Sequence, residues 1–332
     1  MGSTRFLMSM GELSRKDNTI TFRFNGRKKD MPVESIDEIY CFNEISLNTK
    51  LLDFLSKHEI IVHFFNYYGN YSGTYYPRKK LKSGKVLVKQ VRKFDSDRVY
   101  VAKKFVRGIG VNMYEVLYHY YKHDVKEVKG TIDWIKKEFY NKLDKVEGIK
   151  ELMQIEGELW QRFYSEFKNI LPEEFVFNKR VKRPPDNPLN ALISFGNTLL
   201  YTKTISTIYK THLDQRISFL HEPNEGRFSL SLDISETFKP VIVYKTIFEL
   251  VNNKKLKVEK HFEKQTNYCL LNDEGRKIFV EAFEKRLDSC FKHTKLKRLV
   301  SYKTAIKLDC YKLIKYVVED KDFEVFSLKE NM

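Results

Sequence analysis

A glutamate sits where a leucine belongs in the stretch KELMQIEGELWQRFYSEFKNI, residues 150–170. Leu152, Leu159, Phe163, Phe167 and Ile170 recur at helical spacing, and Glu156 falls on the same face as they do. A carboxylate carried into a core must be protonated, paired with an Arg or Lys, or bound to a metal. Glu158 points off the stripe and reads as a surface acid. Gly157 costs a helix interior about 1 kcal/mol relative to alanine, but it admits close approach of another backbone or a ligand.

A second set of polar residues lies in FLHEPNEGRFSLSLDISE, residues 219–236. Asp233 and Glu236 are three apart and share a face in a helix that begins near them. Pro240 then falls near the first turns of that helix and predicts a kink. His221 stands on the far side of a Pro-Asn-Glu-Gly turn, which can fold it back toward the acids. One imidazole with two carboxylates makes a hard, oxygen-rich set suited to Mg2+ or Mn2+, the imidazole favouring Mn2+. The HExxH helix of many zinc hydrolases is absent. A histidine in apolar surroundings also serves purely structural ends, so spacing leaves both roles open.

These residues need elements to hold them. Residues 1–76 read as β-rich. NTITFRF (18–24) alternates apolar and polar letters and runs into Asn25-Gly26, a strong hairpin signal. NTKLLDFLSKHE (48–59) reads as a helix and IIVHFF (60–65) as a buried strand. PRKKLKSGK (77–85) mixes Pro, Ser and Gly with basic residues and reads as a linker. From residue 86 to 332 apolar residues recur every three or four positions, interrupted by RPPDNP (183–188). The expected fold class is α+β: a small N-terminal β-rich domain followed by a larger all-α catalytic domain.

Lys and Arg number 60 against 44 Asp and Glu, a net charge of +16, which predicts a polyanionic partner, nucleic acid first. The basic candidates are Arg78, Lys79, Lys80, Lys82, Lys85, Arg92, Arg107, Lys179, Arg180, Lys182, Arg183, Lys297 and Arg298, read as phosphate neutralisers. No apolar run is long enough for a membrane-spanning helix, and the first residues do not read as a secretory signal. Four scattered cysteines without a CxxC pair argue against a disulfide scaffold or a cysteine zinc site. A cytoplasmic protein is expected.

Three segments in order, IEGELWQRFY, NPLNALISFGNTLLY and SFLHEPNEGRFSLSLDISETFKP, resemble the CRISPR adaptation integrases, the universal CRISPR-associated spacer-acquisition proteins. FVRGIGVN (105–112) and YCLLNDEGRKIF (268–279) extend the resemblance over most of the chain, in the style of the branch that accompanies type I-B systems. The resemblance implies a Mg2+ or Mn2+ site on Glu156, His221 and Glu236, with Asp233 in support and Asn190 and Tyr164 lining it. It implies insertion of short foreign DNA (protospacers) into the CRISPR repeat by attack of a 3′-hydroxyl on a phosphodiester. It further implies a homodimer, joined through the β domain, two of which bridge a small dimeric adaptation partner protein. Ser218, Thr237, Lys239 and Asn197 depart from residues common in the family (Gly, Pro, Arg and Tyr). A free-standing metal-dependent nuclease for branched or double-stranded DNA, and a non-catalytic nucleic-acid-binding module, are the alternatives.

Overall fold

The computed structural model describes residues 3–78, 83–175, 179–182, 184–293 and 295–328. The chain divides into two compact units, Met1–Leu81 and Lys82–Met332.

The first unit holds two four-stranded sheets. One has the order β1 (Ser3–Leu7), β5 (Ile36–Cys41), β7 (Ile61–Phe65), β8 (Tyr71–Tyr75), with β1, β5 and β7 parallel and β8 antiparallel. The other has the order β4 (Arg27–Pro32), β3 (Thr19–Phe24), β2 (Gly11–Lys16), β6 (Ile45–Ser46). The Asn25-Gly26 signal is realised: both residues take positive φ, +46° and +69°, and β3 pairs with β4 from Phe24 opposite Arg27. Positive φ at both central positions matches the twist of the flanking strands. Helix α1 (Thr49–Lys57) is capped by Asn48, whose side chain accepts from the Leu51 amide at 3.0 Å. Leu13, Ile20 and Phe22 of one sheet, Ile39 and Val62 of the other, and Leu51 and Leu55 of α1 share one apolar core.

The second unit is mainly helical. Helix α2 (Gly84–Lys122) bends at Asp97, whose φ of −127° and ψ of 17° are not helical. Ser83 caps it, so Lys85, read as part of the linker, stands in its first turn. Then come α3 (Lys129–Trp134), α4 (Tyr140–Lys145), α5 (Ile149–Ser165), α6 (Phe167–Ile170) and α7 (Pro188–Tyr209). Helix α7 opens with Asn187 as cap and Pro188 in its first turn, a favoured start. Next are α8 (Ser229–Lys239), α9 (Lys245–Asn252), α10 (Val258–His261), α11 (Asp273–Asp288) and α12 (Tyr302–Glu319). Two short hairpins not anticipated from the sequence lie among them: β9 (Phe262–Gln265) with β10 (Tyr268–Leu271), and β11 (Cys290–His293) with β12 (Arg298–Ser301).

Pro240 behaves differently from expectation. Helix α8 begins at Ser229, ahead of Asp233, so Pro240 follows its last residue instead of falling in its first turns. The chain does not break there. Residues Pro240–Tyr244 form a π-helical stretch that leads directly into α9. Proline has no N–H for the carbonyl four residues back, and the wider turn accommodates that loss.

Candidate active site

Glu156 comes from the apolar face of α5, with Leu152, Leu159 and Phe163 fully buried beside it. Glu156 as a whole is 8% exposed. Trp160, one helical turn on, donates its indole N–H to Glu156 Oε1 at 2.6 Å. Burial, and then the charge of Glu236, push the Glu156 pKa up to about 7, against the pull of His221, Trp160 and Lys239. Glu236, on α8, is 7% exposed and is paired with Lys239, one turn along the same helix. The Lys239 ammonium also lies 5.8 Å from the Trp160 ring centroid. One indole and one ammonium thus hold the two acids.

His221 is delivered by the loop that precedes α8. Asp233, fully buried on α8, organises that loop. Its Oδ2 accepts from the amides of Phe219 (2.6 Å) and Leu220 (2.9 Å), and its Oδ1 from the amide (3.0 Å) and ring Nδ1 (2.8 Å) of His221. A carboxylate only accepts, so Nδ1 carries the proton and Nε2 keeps its lone pair in the neutral ring. Ser218 closes the turn by donating to the His221 carbonyl at 2.6 Å. Helix α2 holds the loop from its other side: Arg98 donates to the Phe219 carbonyl at 3.0 Å, and buried Gln90 donates to the carbonyls of Asp214 and Ile217, each at 2.9 Å. Burial opposes the imidazolium of His221, but the hydrogen bond and charge of Asp233, with Glu236 behind them, raise its pKa.

The remaining sequence candidates fall in three groups. Tyr164, one turn beyond Trp160, shares a hydrogen bond of 2.7 Å with the hydroxyl of Tyr244, and burial lifts its pKa to about 12. Asn190 is fully buried and holds Lys179, Arg180 and Asp186: its Oδ1 accepts from Arg180 at 2.9 Å, and its Nδ2 donates to the Lys179 carbonyl (3.1 Å) and to Asp186 (2.8 Å). Lys182 feels the charges of Glu156, Glu236 and Lys239, and partial enclosure with the nearby cations lowers its pKa. Lys85 and Arg92 are exposed on α2, Lys297 and Arg298 on the β11–β12 hairpin, and Arg78 in the first unit. Arg107 is ion-paired with Asp144 and lies over the Tyr140 ring. Lys79, Lys80, Lys82 and Arg183 lie outside the described residues.

Gly157 faces open space, where a Cβ would meet nothing within 4 Å. Glu158 lies off the apolar stripe, partly exposed, and pairs with Lys142 (3.0 Å) and Arg162 (3.1 Å). Lys239 and Trp160 went unread as site residues, although spacings of three from Glu236 and four from Glu156 put each on its acid's face. Among the described residues, no three His, Cys, Asp or Glu side chains stand ready to ligate one ion as they are.

A family model for CRISPR associated protein Cas1 matches residues 6–285. The CRISPR-associated endonuclease Cas1 of Fusobacterium nucleatum is 44% identical over 326 residues, covering 97% of this chain and 96% of that one. A relative of the same description from Clostridium perfringens is 41% identical over 332 residues, covering 98% of each. Among solved structures, a Cas1 protein from Thermotoga maritima aligns with a TM-score of 0.84 at 38% identity, covering 98% of this chain and 99% of that one. A casposase bound to integration product shares the fold, with a TM-score of 0.86 at 21% identity over 100% of this chain and 95% of that one. The chain belongs to the Cas1 family of CRISPR-associated proteins.

Proposed function

We propose that this chain is the metal-dependent endonuclease and integrase of CRISPR adaptation. It inserts short foreign DNA into the CRISPR array by attack of a 3′-hydroxyl on a phosphodiester of the repeat. One observation carries the reading: two buried acids, Glu156 of α5 and Glu236 of α8, are linked through Trp160 and Lys239, and the nearby His221 ring is held by Asp233.

The donor set fits a divalent ion. Burial first, and the charge of Glu236 second, disfavour the Glu156 carboxylate, and a cation between the two acids would offset both. Lys239 already gives Glu236 such a cation. Glu156, Glu236 and Nε2 of His221 would hold the ion once Lys239 withdraws and the side chains turn inward. Oxygen donors with one imidazole suit Mg2+ or Mn2+. When bound, such an ion polarises the phosphate and lowers the pKa of the attacking hydroxyl.

The chain's own residues do the rest. Asp233 keeps the Nδ1 proton of His221 and so keeps Nε2 presented. Trp160 fixes the rotamer of Glu156. Lys239, released from Glu236, is free to meet a phosphate oxygen. Lys179, Arg180 and Lys182 neutralise the DNA backbone beside the acids, and Lys85, Arg92, Lys297 and Arg298 extend that role. The chain works in the cytoplasm as a homodimer with a small adaptation partner protein, the β-rich unit serving dimerisation. No described helix is long and apolar enough to cross a membrane.

A labelled duplex with 3′-hydroxyl ends, mixed with a plasmid carrying a CRISPR repeat, tests the reading. Joined product is expected with Mg2+ or Mn2+ and none with EDTA. Cleavage without joining would instead mark a free-standing nuclease, and metal-indifferent DNA binding without product a non-catalytic module.

The acid pair also predicts a pH dependence for the metal-free protein. The folded state holds the Glu156 proton up to about pH 7, whereas an ordinary glutamate releases it near 4.5. This contribution is fully present below the lower value and is lost as pH rises to the upper, a change on the order of 3 kcal/mol. The raised pKa of His221 acts in the same direction, its contribution fading above 6.5. In EDTA the melting temperature should fall between pH 5 and 8 more steeply for the parent than for Glu156→Gln. Parallel profiles would refute the coupling.

A further inference from the structure

Just past Glu236, helix α8 runs into Pro240 and widens into the π-helical stretch. Its own hydrogen-bond ladder is interrupted there. A segment distant in sequence covers this point. After α12 the chain runs on without regular structure through residue 328, and Phe323, Val325, Phe326 and Ser327 are buried. Phe326 stacks on Phe238 of α8, with ring centroids 4.8 Å apart and planes 11° from parallel.

Asn112, wholly buried on α2, ties the two together. Its Nδ2 donates to the carbonyl of Thr237 at 2.8 Å and of Phe326 at 3.4 Å, and its Oδ1 accepts from the Leu328 amide at 2.9 Å. An amide side chain is suited to this place because it both donates and accepts. Gly108, one turn earlier on α2, leaves the segment room: a Cβ there would stand 2.2 Å from Cγ2 of Val325 and 3.2 Å from Cγ2 of Thr237. The segment lies outside the residues, 6–285, that the family model matches.

We propose that residues 323–328 are a positioning strap for α8, with Asn112 as its clamp. The strap fixes the turn that carries Glu236 and Lys239 where the helix's own ladder is interrupted. The inference rests on the reading of Glu236 as a metal ligand. It assigns the C-terminal segment to catalysis without contact with DNA or ion.

Two substitutions test it in the full-length protein. Asn112→Ala removes the clamp. Gly108→Ala drives a methyl into Val325 while improving the intrinsic helix propensity of α2. Mn2+ affinity is read by the paramagnetic resonance of free Mn2+, and strand transfer is resolved into kcat and KM for DNA. For both variants Mn2+ affinity and kcat should fall about tenfold, the usual scale for groups that orient a ligand, with KM unchanged. Circular dichroism reports whether each variant is folded; should Asn112→Ala not fold, Gly108→Ala carries the test. Parental Mn2+ affinity and kcat in a folded variant overturn the strap, as does a loss confined to KM. Glu236→Gln is the control: if it binds Mn2+ like the parent, the ligand reading fails, whatever the strap does.

Discussion

Glu236→Ala should lower strand transfer about a thousandfold or more, a loss of roughly 4 kcal/mol of transition-state stabilisation. The fold should survive. Removing this acid takes away the charge that opposes ionisation of Glu156, and it frees Lys239, which already acts electrostatically on Glu156. The ammonium can then pair with the remaining carboxylate, so no buried charge is left alone. Affinity for duplex DNA should therefore stay near the parent's, and the melting temperature should change little. Strand transfer with a labelled 3′-hydroxyl substrate in Mn2+, beside a binding titration, measures both. Transfer at the parental rate would remove Glu236 from the chemistry.

The second large effect belongs to an acid on the same helix with a different task. Asp233 accepts four hydrogen bonds, three from backbone amides and one from the His221 ring. Asp233→Ala leaves three buried amides without an acceptor, with an expected cost of roughly 3–5 kcal/mol. Asp233→Asn keeps the volume but turns one acceptor into a donor that faces other donors. Urea unfolding should show a far larger loss for either Asp233 variant than for Glu236→Ala. Equal midpoints would mean that the loop is held chiefly by Ser218, Arg98 and Gln90.

Sequence periodicity was enough to find Glu156, because a carboxylate interrupts an otherwise regular apolar face. It also located the Asn25-Gly26 hairpin and the strand-rich to helical order of the chain. The start of α8 was harder to read. Its cap position is Phe228, which makes no side-chain capping bond, so the usual Ser, Thr, Asp or Asn signal is absent. With the start misplaced, Pro240 took on the wrong meaning. The two late hairpins have strands of four residues, too short for alternation to register. Asn190 shows another limit. Only the family resemblance pointed to it, and its hydrogen bonds to Lys179, Arg180 and Asp186 join groups that no helical or strand period pairs. Lys239 was visible only as a departure from a family pattern. Its pairing with Glu236 is a contact three residues apart within α8, whereas its approach to the Trp160 ring joins two helices and is encoded by no spacing.

The π-helical stretch at Pro240–Tyr244 also sets the angular register of the helices on either side of it. A π turn is an α-helix carrying one additional residue, and each residue advances an α-helix by about 100°. The stretch therefore acts as a phase shifter between α8 and α9. Residues before it keep the angular register that aims Glu236 and Lys239 inward, while α9 sets its own, with Glu249 meeting Arg286 at 2.7 Å. A single helical wheel drawn through residues 229–252 would misassign one half or the other. Deleting one residue within 240–243 should rotate α9, and Tyr244 with it, against α8 while leaving Glu236 and Lys239 in the register of their own helix.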